Sequence, residues 1–156
     1  MEVGIAEQNL VGVAAGLASM GKKAFAVSPA CFLTARALEQ IKNDVAYSDN
    51  PVKLIGISAG VSYGALGTTH HSLHDFAVLR ASHNLTIGAP CDNFETGEAI
   101  RQAAEMRSPV YIRFGKKGMP TLNQLLSPDF KIGKGRLIRE GTDLTFIATG
   151  ETVLPC

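Results

Sequence analysis

The chain contains no tryptophan, and aromatic residues make up only 6% of its 156 positions. A nucleic-acid surface built on interleaved aromatic and basic side chains has little to be made from. Charge of either sign is also in short supply. Lysine and arginine number 15 against 14 acidic residues, for a net charge of +1, which removes the electrostatic case for nucleic acid or an anionic membrane as partner. Charged residues amount to 19%, low for a soluble domain, and this points to surface meant to be covered by another subunit. The three cysteines, Cys31, Cys91 and Cys156, are scattered without CxxC or zinc spacing; they read as buried thiols in a reducing compartment. No apolar run is long enough to span a bilayer, and no basic segment leads into an apolar core at the start. A cytoplasmic location follows by elimination.

What is present begins with Met1 to Met20, MEVGIAEQNLVGVAAGLASM. Glu7, Gln8 and Asn9 precede a run, Leu10 to Met20, in which only Ser19 has a polar side chain. The spacing predicts a helix over 6–20, closed by Gly21, and its small apolar composition predicts burial on every side. Further along, 23–28 (KAFAVS) and 52–58 (VKLIGIS) read as buried strands. Between them Leu33, Ala37, Leu38, Ile41 and Val45 predict one helix over 32–47. A long loop, 59–72, leads to a short helix over 73–81. Strands are expected at 85–89 and 109–114, with a helix over 95–106 between them capped by Asp92 or Asn93. Residues 116–128 read as loop, and 135–140 and 143–149 as two further strands. Strands alternating with helices predict an α/β fold, a mostly parallel sheet with helices on both faces. The loops after the strands then gather at one edge, where such sheets bind ligands. The chain opens directly into a helix with no strand to cross over from, and it ends soon after DLTFIATG. Both ends read as truncated.

Four features carry candidate chemistry. Glu7, at the start of its helix, either complements the helix dipole or is a buried acid held against a ligand nitrogen, its pKa raised by low-dielectric surroundings. The run Gly67–Asp75, GTTHHSLHD, holds His70, His71, His74 and Asp75. It reads as a metal site, as a polar wall that hydrogen-bonds an oxygen-rich substrate, or as a loop of surface histidines. Arg113, at the end of the PVYIRF strand, clamps a phosphate or carboxylate or sits in an ordinary salt bridge. Phe32 is core or a stacking surface for a flat heterocycle. Lys116 and Lys117 read as solvated loop charges.

Taken in order, these segments resemble one family. VGIAEQNLVGVAAGLA is similar to the segment of transketolases and deoxyxylulose-phosphate synthases that supplies the glutamate of thiamine diphosphate enzymes. SPACFLTARALEQIKNDVA resembles the next helix of the same pyrimidine-binding domain, and GVSYGALGTTHHSLHDFAVLRASHNLTIGAPCDNFE resembles the substrate-channel loop and the strand after it. PVYIRFGK resembles the strand that ends in a phosphate-binding arginine, and GTDLTFIATG resembles the start of the C-terminal domain. The likeness is strongest to the C-terminal subunit of split, two-subunit bacterial transketolases.

The resemblance implies residues 1–117 as a pyrimidine-binding domain lacking its first strand and helix, 118–140 as a linker, and 141–156 as the start of a truncated C-terminal domain. It implies that Glu7 hydrogen-bonds N1′ of the aminopyrimidine of thiamine diphosphate and activates the cofactor, and that Phe32 belongs to the pyrimidine pocket. By the same likeness His70 lines the substrate channel as a catalytic and substrate-binding residue, Thr69 helps to place it, and Arg113 holds a sugar phosphate. The implied activity is transfer of a two-carbon ketol unit between sugar phosphates. The family's diphosphate- and Mg2+-binding domain, with its Gly-Asp-Gly…Asn motif, is not in this sequence. The implied partner is therefore an N-terminal subunit that binds the diphosphate and Mg2+, in a homodimer or heterotetramer, and the chain is inactive without it. Departures from single-chain relatives are Leu66 in place of an acid that reads a substrate hydroxyl, Ser58 in place of a channel histidine, and Pro29 near a second pocket aromatic. Two competing readings are a non-catalytic remnant or interaction module of the same fold, and a metal-dependent hydrolase using His70, His71, His74 and Asp75.

Overall fold

Helix α1, Glu7–Ser19, buries Val11, Ala14, Ala15 and Ala18. These positions recur at i, i+3, i+4 and i+7, one stripe of a helix. The computed structural model describes residues 1–122 and 129–156. Gly21 takes a positive φ of 78°, and its N–H and that of Lys22 return to the carbonyls of Ala18 and Leu17 at 2.9 and 3.1 Å. That pair of bonds is the glycine stop of a Schellman motif. The expectation of burial all round is corrected: Leu17 and Met20 are 44% and 79% exposed. Small residues let the helix approach the sheet closely, and one layer of neighbours covers only one stripe.

Four strands follow the predicted order: β1 (Phe25–Pro29), β2 (Lys53–Ile57), β3 (Thr86–Gly88) and β4 (Val110–Arg113). They form one parallel sheet in the order β1-β2-β4-β3. Helices α2 (Ala30–Arg36), α3 (Leu38–Gln40), α4 (Asp75–Arg80) and α5 (Asn93–Glu105) complete the regular α-structure, and a wider π-helical segment occupies Ile41–Tyr47. One side of the sheet packs Ala26, Leu54 and Tyr111 with Val11, Leu33, Ile41 and Leu79. The other packs Ile55, Val110 and Ile112 with Ala99 and Ala103 of α5. The sheet is thus α/β with helices on both faces, as its alternation predicts.

The single helix expected over 32–47 is broken at Ala37, where φ is −100° and ψ is 19°. Thr34 donates its hydroxyl back to the Ala30 carbonyl at 2.7 Å, a bond that bends helices. The apolar residues Leu33, Ala37, Ile41 and Val45 are all fully buried and fall at intervals of four. On an α-helix such a series drifts by about 40° per step. The break and the wider winding cancel that drift and keep the four on the sheet.

Asp92 caps α5, its Oδ1 accepting from Glu95 N at 2.8 Å, as the sequence predicts. Glu95 reaches back to Cys91 N at 2.9 Å, a variant of the capping box. Burial, with Glu95 beside it, pushes the Cys91 thiol up to about 12. Cys31 is also buried, whereas Cys156 is exposed, so the reading of three buried thiols holds for two. Lys53 is 1% exposed and donates to the carbonyls of Met106 and Ser108 at 2.9 and 2.7 Å, serving the C-terminal end of α5.

The strands expected at 135–140 and 143–149 do not form. Leu137, Leu144, Phe146 and Ile147 lie exposed there, because among the described residues no neighbouring strand pairs with the backbone. Of the loop expected at 116–128, residues 123–128 lie outside the described residues; 116–122 form no helix or strand. Residues on either side of 123–128 are fastened to α5 and its cap. Leu122 N donates to Asp92 Oδ2 at 2.8 Å. Gln102 gives its amide to the Phe130 carbonyl at 2.8 Å and accepts from Ile132 N at 3.0 Å. Arg136 pairs with Glu95.

Gly56 of β2 is required by packing. A Cβ there would lie 2.9 Å from two ring carbons of Tyr111, a residue that is fully buried. Gly56→Ala is expected to destabilise the fold by about 1–3 kcal/mol through overpacking. Urea unfolding followed by circular dichroism measures it, and an unchanged midpoint would mean that the ring yields freely.

Candidate functional site

Because all four strands run parallel, the segments after them meet at the carboxyl edge, and the first turn of α1 meets them there. Glu7 is 7% exposed. Its Oε1 accepts from Ser28 Oγ at 3.3 Å, and its Oε2 accepts from Arg36 Nη1 at 2.9 Å. Burial pushes this carboxyl up, but the hydrogen bond from Arg36, the backbone N–H, the charge of Arg36 and the Ser28 hydroxyl together outweigh burial and hold it below its ordinary value. The raised pKa expected from the sequence is therefore corrected for this state. A cleft of about 380 Å3 opens beside the carboxylate, lined by Ile5, Ala6, Gln8 and Arg36.

The chain of contacts continues from Arg36. Its guanidinium lies 4.3 Å from the centre of the Phe32 ring. Phe32 meets His70 edge to face with ring centres 5.2 Å apart, and Tyr63 meets His70 from another side at 5.3 Å. Thr69 Oγ1 sits 3.0 Å from His70 Nδ1, so one ring nitrogen is already engaged by the neighbouring hydroxyl. Lys116 Nζ lies 4.5 Å over Tyr63. Glu7, Phe32, Thr69 and His70 are thus brought into one neighbourhood. Arg36, Tyr63 and Lys116 join them without having been singled out as site residues by the sequence; the only local signal was Arg36, four positions after Phe32 and so on the same helix face.

Arg113 is placed differently. Its Nη1 lies 2.8 and 3.0 Å from the two carboxylate oxygens of Asp75, and its guanidinium stacks 4.3 Å over Phe76. Asp75 is fully buried and also accepts from Tyr111 Oη at 2.9 Å. The Tyr111 phenol is kept protonated: burial first, then the Asp75 charge and hydrogen bond, push its pKa well above the usual range. Arg113 also borders a second cavity of about 220 Å3, shared with Phe114 and Thr149–Thr152. Ser58, buried at the end of β2, has a positive φ of 56°, a conformation uncommon for a residue with a side chain.

The remaining histidines diverge. His71 Nε2 faces the Gly64 carbonyl at 3.2 Å, where only an N–H satisfies both atoms. His74 Nε2 meets Thr34 Oγ1 at 3.2 Å. Since the Thr34 hydrogen goes to Ala30, His74 is the donor there. Among the described residues no three His, Cys, Asp or Glu side chains are grouped to hold a metal ion. The metal-hydrolase reading is corrected accordingly: each of its four ligands faces a different partner.

A parallel α/β domain that gathers a buried carboxylate, an aromatic, a histidine and a lysine at its carboxyl edge is an α/β domain of the open-sheet kind, the class whose ligands sit at that edge. Residues 1–121 match the family described as "Transketolase, pyrimidine binding domain". The chain is 51% identical over 153 residues, 98% of its own length and 49% of the relative's, to an apulose-4-phosphate transketolase subunit of Phocaeicola vulgatus. It is 37% identical over 153 residues, 98% of its length and 25% of the relative's, to the 1-deoxy-D-xylulose-5-phosphate synthase of Thermus thermophilus. Among solved structures, one described as a split gene transketolase, inactive beta4 tetramer, superposes with a TM-score of 0.79 at 39% identity, covering 92% of this chain and 45% of that one. The chain belongs to the transketolase pyrimidine-binding-domain family. It spans about half the length of the transketolase subunit it matches.

Proposed function

We propose that the chain is the pyrimidine-binding part of a two-subunit, thiamine diphosphate-dependent transketolase that moves a two-carbon ketol unit between sugar phosphates. The observation that carries this reading is the line of contacts from Glu7 through Arg36 and Phe32 to His70. A buried carboxylate beside an aromatic face suits an aminopyrimidine, which needs a carboxyl at its edge and a flat surface beneath it. Bound thiamine diphosphate supplies the electron sink for the transferred carbons.

Within this reading each side chain has a task. Glu7 holds and moves a proton at the ring nitrogen it faces. Phe32 fixes the plane of the ring and keeps water from one side. Thr69 orients His70 by engaging Nδ1, leaving Nε2 to hydrogen-bond a substrate oxygen. Lys116 supplies positive charge for the sugar phosphate. Arg113, matched by Asp75, supports phosphate binding from the base of the same edge. The diphosphate and Mg2+ are assigned to an N-terminal partner subunit, in keeping with the subunit and split-gene names of the relatives.

Reconstitution tests the proposal. The chain mixed with a diphosphate-domain transketolase subunit is expected to bind thiamine diphosphate with Mg2+ in a calorimetric titration and to transfer ketol units in a coupled assay. Cofactor binding without turnover would favour a non-catalytic remnant; no binding by the mixture would refute the assignment.

A further inference from the structure

Arg36 makes two contacts at once. Its Nη1 donates to Glu7 Oε2 at 2.9 Å, and its Cζ lies 4.3 Å from the centre of the Phe32 ring. A guanidinium is a flat, delocalised N–C–N group, with N–H donors on its edge and a face that stacks on aromatics. An aminopyrimidine offers the same outline, with nitrogens on the edge and a π face. We propose that Arg36 is a placeholder for the cofactor's ring, bridging Glu7 and Phe32 in the free chain and swinging out when the ring arrives. The inference rests on the thiamine diphosphate reading above.

Burial and exposure fit such a role. The Arg36 side chain is 46% exposed whereas that of Glu7 is 8% exposed, so the cation has open solvent to move into and the carboxylate does not. The cleft beside them, lined by Ile5, Ala6 and Gln8, lies on that open side. The exchange swaps one hydrogen-bonding partner of the carboxylate for another, which avoids the cost of breaking a pair whose anion is buried. A buried carboxylate with no partner would be costly, and the placeholder supplies one while the ring is absent. Ser28 Oγ of β1 stays on the other oxygen and holds the carboxylate in place.

The motion also retunes the acid. The groups acting on Glu7 are Arg36 from α2, Ser28 from β1 and its own backbone N–H, and on α2 the buried Cys31 couples weakly to the pair. Arg36 is the cation among them. With it in place Glu7 is held ionised; once it leaves, burial acts unopposed by charge and the carboxyl moves toward sharing a proton. Opening the seat and readying the acid are then one event. Arg36 is a positioning residue, acting through Glu7 and through the space over Phe32.

Two measurements on Arg36→Met and Arg36→Lys test this. In the full chain with 13C-labelled glutamate carboxyls, the Glu7 titration midpoint is expected to rise in Arg36→Met and to stay near wild type in Arg36→Lys. In the complex with a diphosphate-domain subunit and Mg2+, Arg36→Met is expected to bind thiamine diphosphate about three- to tenfold more tightly, because the competent state is no longer taxed. Arg36→Lys, which keeps the charge and loses the flat face, is expected to tighten binding by a smaller factor and carries the test if the Met variant does not fold. Unchanged or weaker binding in the variants overturns the placeholder, as does an unmoved Glu7 midpoint in Arg36→Met. If no complex binds cofactor, wild type included, the thiamine diphosphate reading fails and the placeholder falls with it.

Discussion

Glu7→Gln, assembled with a diphosphate-domain subunit, is expected to lose turnover by about two to four orders of magnitude, the span of a positioned acid–base group. Cofactor affinity is expected to change far less. Glutamine keeps the length and hydrogen-bonding capacity of the side chain but cannot accept or release a proton at neutral pH. Steady-state kinetics beside a calorimetric titration separates the two effects, and wild-type rates in the variant would show that the acid lies elsewhere. Stability carries a second signature. Arg36, Ser28 and the backbone N–H overcome burial and hold the Glu7 carboxyl below its unfolded value. A depressed carboxyl contributes stability that is full above its unfolded pKa and is lost as pH falls through the folded one. Glu7→Gln should therefore flatten part of the acid limb of the unfolding profile.

Asp75→Ala is the second large effect, and it falls on the fold. Asp75 is fully buried and holds Arg113, Tyr111 Oη and its neighbour Phe76 N. Removing it leaves a mostly buried guanidinium without its anion and a buried hydroxyl without its acceptor. Breaking one side of such a pair destabilises by about 3–5 kcal/mol, which for a domain of this size lowers the melting temperature by roughly 6–20 °C. Thermal unfolding reads it directly. Arg113→Met added to Asp75→Ala should restore part of the loss, since the uncompensated cation goes too. An unchanged melting temperature in Asp75→Ala would mean that Arg113 is free to leave the pair for a ligand.

The sheet was legible because each strand is a short apolar run with turn residues at its ends, and Asp92 announced α5 by standing three positions before Glu95. The break at Ala37 was not legible. A four-residue repeat looks helical in sequence, and only packing against the sheet forces the winding to absorb its drift. The expected strands near Leu137 and Phe146 failed for the opposite reason: their pattern was right, but strand structure depends on a pairing partner that local sequence does not name. At the site, Glu7 and the histidine-rich loop stood out by their chemistry, with a dipole or surface role left open, and it was the resemblance to a family that singled out Phe32, Thr69 and His70. Arg36, Tyr63 and Lys116 did not, because nothing in a sequence says that Tyr63 will meet His70, that Arg36 will stack on Phe32 or that Lys116 will lie over Tyr63. For Arg113 the sequence left a ligand clamp and a salt bridge both open, and topology supplied the partner by setting Asp75 against it.

The segment fastened to α5 has a consequence for how this architecture tolerates change. The chain enters it at Leu122, bonded to Asp92, and leaves it at Arg136, bonded to Glu95 one turn away. Entry and exit are therefore neighbours, and Phe130 and Ile132 are held by Gln102 two turns further along α5. Asp92 and Glu95 thus serve two ends at once, bonding the backbone at the start of α5 and holding residues 122 and 136 against it. Losing either carboxylate would fray the helix and loosen the segment together.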